Sequence, residues 1–121
     1  MSVEVEWNED GYLLEIACRD EKGLLHNDDG PALHTWWPCR KGNPRIETRR
    51  YYKHGHLHNE KGAAVLDWDK HTHTLRARKY FLDGVQYSFA EWERRVKGVK
   101  VTANGKTKYI SEQSAKELGL L

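Results

Sequence analysis

Seven histidines are the residues of this chain most open to chemistry. His54, His56 and His58 alternate, and so do His71 and His73. Alternate residues of a strand share a face, and imidazoles on one face suit a zinc-like ion. Gly55 stands between the first two, and a glycine turn there breaks the shared face. His58 with Glu60 is a possible hydrolytic His–acid couple. Cys39 lies beside Pro38, and the cations Arg40 and Lys41 favour its thiolate. These groups sketch at most a small metal-dependent or Cys/His hydrolase. No P-loop, nucleophile elbow or Cys-x-x-Cys pair accompanies them. The expectation is no catalytic residue, no metal and no cofactor, with His26 and His58 as structural histidines.

Aromatic and basic residues point instead to binding. Trp36, Trp37, Tyr51 and Tyr52 lie near Arg40, Lys41, Arg49, Arg50 and Lys53. Tyr80 and Phe81 follow Arg78 and Lys79, and Arg94, Arg95 and Lys97 open a basic stretch that runs to Lys108. Aromatic rings and guanidinium groups are the usual anchors of protein interfaces. The same set stacks single-stranded bases and holds phosphates, so a nucleic-acid or nucleotide binder is the alternative. Of two adjacent residues in a strand, one faces each side. Only one member of each aromatic pair is therefore free to bind.

The elements that place these residues come from an internal repeat. Gly23-Leu24-Leu25-His26-Asn27-Asp28-Asp29-Gly30-Pro31-Ala32 matches Gly55-His56-Leu57-His58-Asn59-Glu60-Lys61-Gly62-Ala63-Ala64. A third, decayed copy begins at Gly84 and has Tyr87 where His is expected. Asn first and Gly fourth is turn language, and His54-Gly55 and Asp83-Gly84 read as tight turns between strands. Each unit is predicted to be a hairpin with one tight and one wider turn. Val3, Val5 and Trp7 alternate with Glu4 and Glu6, the pattern of a half-buried strand. Tyr12 to Cys18 returns beside it, with Cys18 a small core residue. Ser88 and Glu91 form a capping box that starts a helix, and Asn104-Gly105 marks a late hairpin. A last helix begins at Ser111.

The fold class expected is mainly β: an antiparallel meander of repeated hairpins with one or two short C-terminal helices, α+β overall. A repeat domain is placed at 1–97, with units near 12–37, 45–68 and 76–97. A hairpin and helix at 98–121 pack on it or serve dimerisation. The 121 residues have no apolar run of bilayer length and no secretory signal pattern. With two cysteines this is read as a protein of a reducing, cytoplasmic compartment. Net charge is +2, but residues 1–30 carry nine acids against two bases, so the rest of the chain is basic. Such asymmetry steers charged partners.

The frame of an aromatic pair, then Gly, then Leu-His, then Gly-Pro-Ala resembles tandem β-hairpin repeats of phages and large DNA viruses, variants of MORN repeats. The resemblance covers roughly 20–97. It implies an elongated meander with an interaction role and, for a phage protein, interference with a host defence factor in the host cytoplasm. It carries no catalytic residue onto this chain. The partner expected is a protein, with nucleic acid second, no membrane, and a possible homodimer through sheet edges.

Overall fold

The computed structural model describes residues 1–38 and 45–121. Cys39, Arg40 and Lys41 lie outside the described residues. Two compact units are present, Met1–Gln86 and Tyr87–Leu121. The described chain is mainly β, an antiparallel meander of hairpins with two short helices.

In the first unit the strands are β1 (Ser2–Trp7), β2 (Leu13–Arg19), β3 (Leu33–Trp37), β4 (Arg45–Arg50), β5 (Tyr52–Lys53), β6 (His56–Leu57), β7 (Val65–Trp68), β8 (Leu75–Leu82) and β9 (Val85–Tyr87). One sheet has the order β1-β2-β3-β4-β7-β8-β9, while β5 and β6 pair as a small ribbon. From β1 to β8 neighbouring strands of this sheet pair antiparallel, and the register lines residues up in rows across six strands. One row is Val5–Ile16–His34–Arg49–Leu66–Arg78. The rows on either side of it, on the opposite face, are Glu4–Ala17–Leu33–Arg50–Val65–Lys79 and Glu6–Glu15–Thr35–Thr48–Asp67–Ala77.

The two segments that share the sequence frame make the same hydrogen bonds. Asn27 Oδ1 accepts from Asp29 N–H at 3.1 Å, and Asn59 Oδ1 accepts from Lys61 N–H at 2.9 Å. The Asn27 amide donates to Pro31 O at 3.1 Å, and the Asn59 amide to Ala63 O at 2.9 Å. Each Asn thus spans its turn from both sides, which its amide chemistry permits and an Asp would not. Ala32 and Ala64, which follow, are fully buried and donate to Arg50 O and Lys79 O, each at 2.9 Å. The buried apolar residues of this unit are small: Ala17, Cys18, Ala32, Ala63, Ala64 and Val65. The sheet is therefore held largely by its ladders and turns, with a thin apolar layer.

The copies differ in one loop. Lys53 pairs His56 around His54 and Gly55, both at positive φ, a two-residue turn. In the first copy Arg19 bridges Leu25, and Asp20 N–H donates to Leu24 O. That loop holds one residue more, with Gly23 alone at positive φ among its residues. Asp20 Oδ1 fills the extra space by accepting from the N–H groups of Lys22 and Leu24.

β1 departs from expectation. All six residues are exposed, Val3 at 58%, Val5 at 44% and Trp7 at 59%. Alternation shows that a strand has two unlike faces, but it does not show whether anything covers the apolar one. β1 is the sheet's edge, with only β2 beside it.

In the second unit Ser88 Oγ accepts from Glu91 N–H and starts α1 (Phe89–Lys97). Trp92 is its buried residue, while Phe89 stays half exposed. β10 (Val99–Ala103) and β11 (Lys106–Ile110) form a hairpin around Asn104-Gly105. Ser111 then caps α2 (Glu112–Glu117).

Glycine at 84 answers two demands. Its φ is +84°, and a Cβ there would lie 3.2 Å from the His56 ring. Gly23 shares the positive φ but has open space around it. Gly23→Ala is expected to cost about 1–2 kcal/mol for the left-handed backbone alone. Gly84→Ala should cost more, because the imidazole must move as well. Urea unfolding midpoints of the two variants check the order.

Candidate functional site

The row Val5–Arg78 passes through a group of stacked aromatic and basic side chains in the first unit. β3 alternation puts His34 and Trp36 on one face, and their rings stack with centroids 3.9 Å apart. Arg49 is the cross-strand partner of His34, and its Nε–H donates to His34 Nε2 at 3.2 Å. The same guanidinium lies over the Trp68 ring, 5.4 Å from its centroid. Trp36–His34–Arg49–Trp68 is thus one continuous array across β3, β4 and β7. All four side chains are half-buried.

This geometry sets the charge of the array. Burial and the adjacent Arg49 charge push the His34 pKa down from 6.5 to about 4. At neutral pH His34 is an uncharged acceptor, so the array carries one cation between two indoles. A guanidinium stacked on an indole is stabilised by the ring's electron-rich face. Held in this way it loses little side-chain freedom on meeting a carboxylate, a phosphate or another planar group.

The predicted binding residues divide among several places. Trp36 and Arg49 stand in the array. Trp37 and Arg50 point to the opposite face, as strand alternation requires. Tyr51 and Tyr52 follow the end of β4 and line a cleft of about 450 Å³ between the turns Asn27–Gly30 and Asn59–Gly62. Arg94 pairs with Glu112 at 3.5 Å, and more loosely with Glu91 at 3.9 Å. Arg95 covers the Tyr87 ring at 4.6 Å, and Lys97 lies 5.7 Å from the Tyr109 ring.

Two members of the array, His34 and Trp68, were absent from the predicted set. The frame itself holds the signal for Trp68. It lies six residues after Gly62, as Trp36 lies six after Gly30, so equivalent strands bring both indoles to one face. His34 is signalled only by being two residues before Trp36.

The other histidines are tied into turns. His26 Nδ1 accepts from His54 N–H at 3.0 Å, and its Nε2 faces Asp28 at 3.2 Å. His58 Nδ1 accepts from Asp83 N–H at 2.9 Å, and its Nε2 faces Glu60 at 3.4 Å. The His58–Glu60 couple is thus the outer half of a turn brace. His54 stacks on His26 with centroids 4.1 Å apart and bonds Asp20 Oδ2 at 2.8 Å. That bond, foremost, holds the Asp20 carboxyl below the usual carboxylate range. His56 packs on Gly84. His71 and His73 lie in an exposed turn, not on a shared strand face. There the backbone N–H groups of Thr72 and His71 lower the Asp69 pKa. Among the described residues no group of three or more His, Cys, Asp or Glu lies close enough to hold a metal ion. Also among them, no helix is long and apolar enough to cross a membrane.

Comparison with protein-family models, curated proteins and solved structures finds no match for this chain.

The His34 shift gives a signed pH dependence. Between 6.5 and about 4 the unfolded chain takes up a proton that the folded array refuses. This contribution to stability is complete above 6.5 and is lost as pH falls to about 4. His34→Gln keeps an acceptor for Arg49 but cannot titrate. Its unfolding free energy should fall less steeply than that of the wild type over this window. Urea titrations at a series of pH values measure the difference.

Proposed function

We propose that this protein is a non-catalytic binding module whose aromatic face docks a protein partner. One observation carries the reading: Trp36, His34, Arg49 and Trp68 form a partly exposed array on one side of a sheet. Partly exposed tryptophans beside an oriented arginine are the composition of an interface hot spot. The array has no described acid in its contacts, so the partner segment that fits it carries carboxylates with aromatic or aliphatic side chains. The resemblance to phage repeat proteins adds that the partner is a host factor, with inhibition of a defence system as the role.

Nucleic acid remains the second reading, because two indoles around a guanidinium also suit bases and phosphate. The two readings separate by capture from a host lysate with and without nuclease. A protein that stays bound after digestion supports the first, and binding lost on digestion supports the second. Under the first reading Arg49→Ala or Trp68→Ala weakens partner affinity by roughly 30-fold, the scale of a hot-spot truncation. Unchanged affinity in both variants, each shown folded by circular dichroism, overturns the docking face.

A further inference from the structure

The two ends of the sheet are unlike in charge. β1 is a six-residue edge without proline or lysine, carrying only Glu4 and Glu6 as charges and a register shift against β2 at Glu6/Trp7. Its exposed residues are Val3, Val5 and Trp7 on one face and Glu4 and Glu6 on the other. At the far end β9 has three residues after the Asp83-Gly84 turn, so it runs back along β8 only as far as Tyr80. The segment 75–79 is therefore an edge among the described strands of this unit. It carries exposed Arg76, Arg78 and Lys79.

We infer that β1 of one copy pairs with the 75–79 edge of β8 in a second copy, head to tail. Six successive antiparallel strands leave β1 and β8 running in opposite directions. A second copy shifted across the width of the sheet therefore extends it in the same antiparallel sense. From Glu4 onward its β1 meets the ends of the same rows, while Ser2 and Val3, which would fall opposite Phe81 and Tyr80 where β9 already sits, turn away from the sheet. Glu4, whose exposed carboxylate also meets Arg19 of its own chain at 3.5 Å, comes opposite Lys79, Val5 opposite Arg78, and Glu6 opposite Ala77, with Lys79 on the diagonal. The arginine stem covers the exposed valine while its charge stays in water. Opposite charges across a strand pair stabilise it, and like charges oppose it.

The charges also select against the two-fold alternative. Two β1 edges placed together bring Glu4 and Glu6 of one copy against the same residues of the other. A head-to-tail contact leaves a free edge at each end, so the assembly is open-ended, not a closed dimer. The contact uses strand edges, whereas the binding reading above uses the sheet face, so either stands without the other.

Analytical ultracentrifugation of the full chain over a concentration series tests this. The weight-average mass should exceed the 14.2 kDa of one chain and keep rising with concentration. The double variants Glu4→Lys/Glu6→Lys and Arg78→Glu/Lys79→Glu should each weaken association by about tenfold or more. Mixed together they should associate again, because each supplies the charge the other lacks. Circular dichroism confirms that each is folded. A wild type that stays monomeric throughout overturns the inference. So does a closed dimer that survives Arg78→Glu/Lys79→Glu but is lost with Glu4→Lys/Glu6→Lys.

Discussion

A tight turn ends in backbone N–H groups that its own hairpin cannot satisfy, and here the preceding hairpin satisfies them. His26 Nδ1 receives the N–H of His54, and His58 Nδ1 receives that of Asp83. Both donors are non-glycine residues with positive φ, 46° and 49°. The next N–H in each turn, from Gly55 and Gly84, goes to Leu25 O and Leu57 O at 2.8 and 2.9 Å. Two successive donors of each turn are thus received by a Leu-His pair one unit earlier. A backbone N–H is always a donor, so each Nδ1 must be the acceptor and the ring proton sits on Nε2. The acid two residues on, Asp28 or Glu60, is the partner of that proton. Leu, His and the acid form one fitting, copied twice.

That fitting sets the spacing on which the exposed face depends. It fixes each hairpin against the one before it, so Trp36 and Trp68 arrive on one side of the sheet with Arg49 between them. The side chain after each turn glycine completes the stack, Leu24 against Gly55 and His56 against Gly84. At the third position the fitting is missing. Tyr87 stands where His is needed, and its ring carries Arg95. Val85, the counterpart of Leu24 and His56, is 52% exposed. The series of turns stops where its imidazole acceptor stops.

Much of the fold was legible in the residues because turn chemistry is local. Asn with Gly three residues on, Asn104-Gly105, and Ser88 with Glu91 each specify a conformation through contacts within a few positions. Strand alternation also foretold that Trp36 and Trp37 would part. The site was less legible because it depends on partners far apart in the chain. The low proton affinity of His34 comes from Arg49, fifteen residues on. Tyr51 and Tyr52 read as part of the same surface as Trp36, but β4 ends at Arg50 and the chain turns them into the cleft between the Asn–Gly turns. The exposure of β1 follows from its place at the edge, which a period of two does not encode.

Nitrogen-15 NMR of the imidazole rings and backbone amides reads the fitting most directly. His26 and His58 should be protonated at Nε2 at neutral pH, and the amides of His54 and Asp83 should exchange slowly with solvent. His26→Phe should speed exchange at His54 while leaving Asp83 slow, and His58→Phe should do the reverse. Rings protonated at Nδ1, or amides at both positions that exchange freely in the wild type, would contradict the hairpin-to-hairpin coupling.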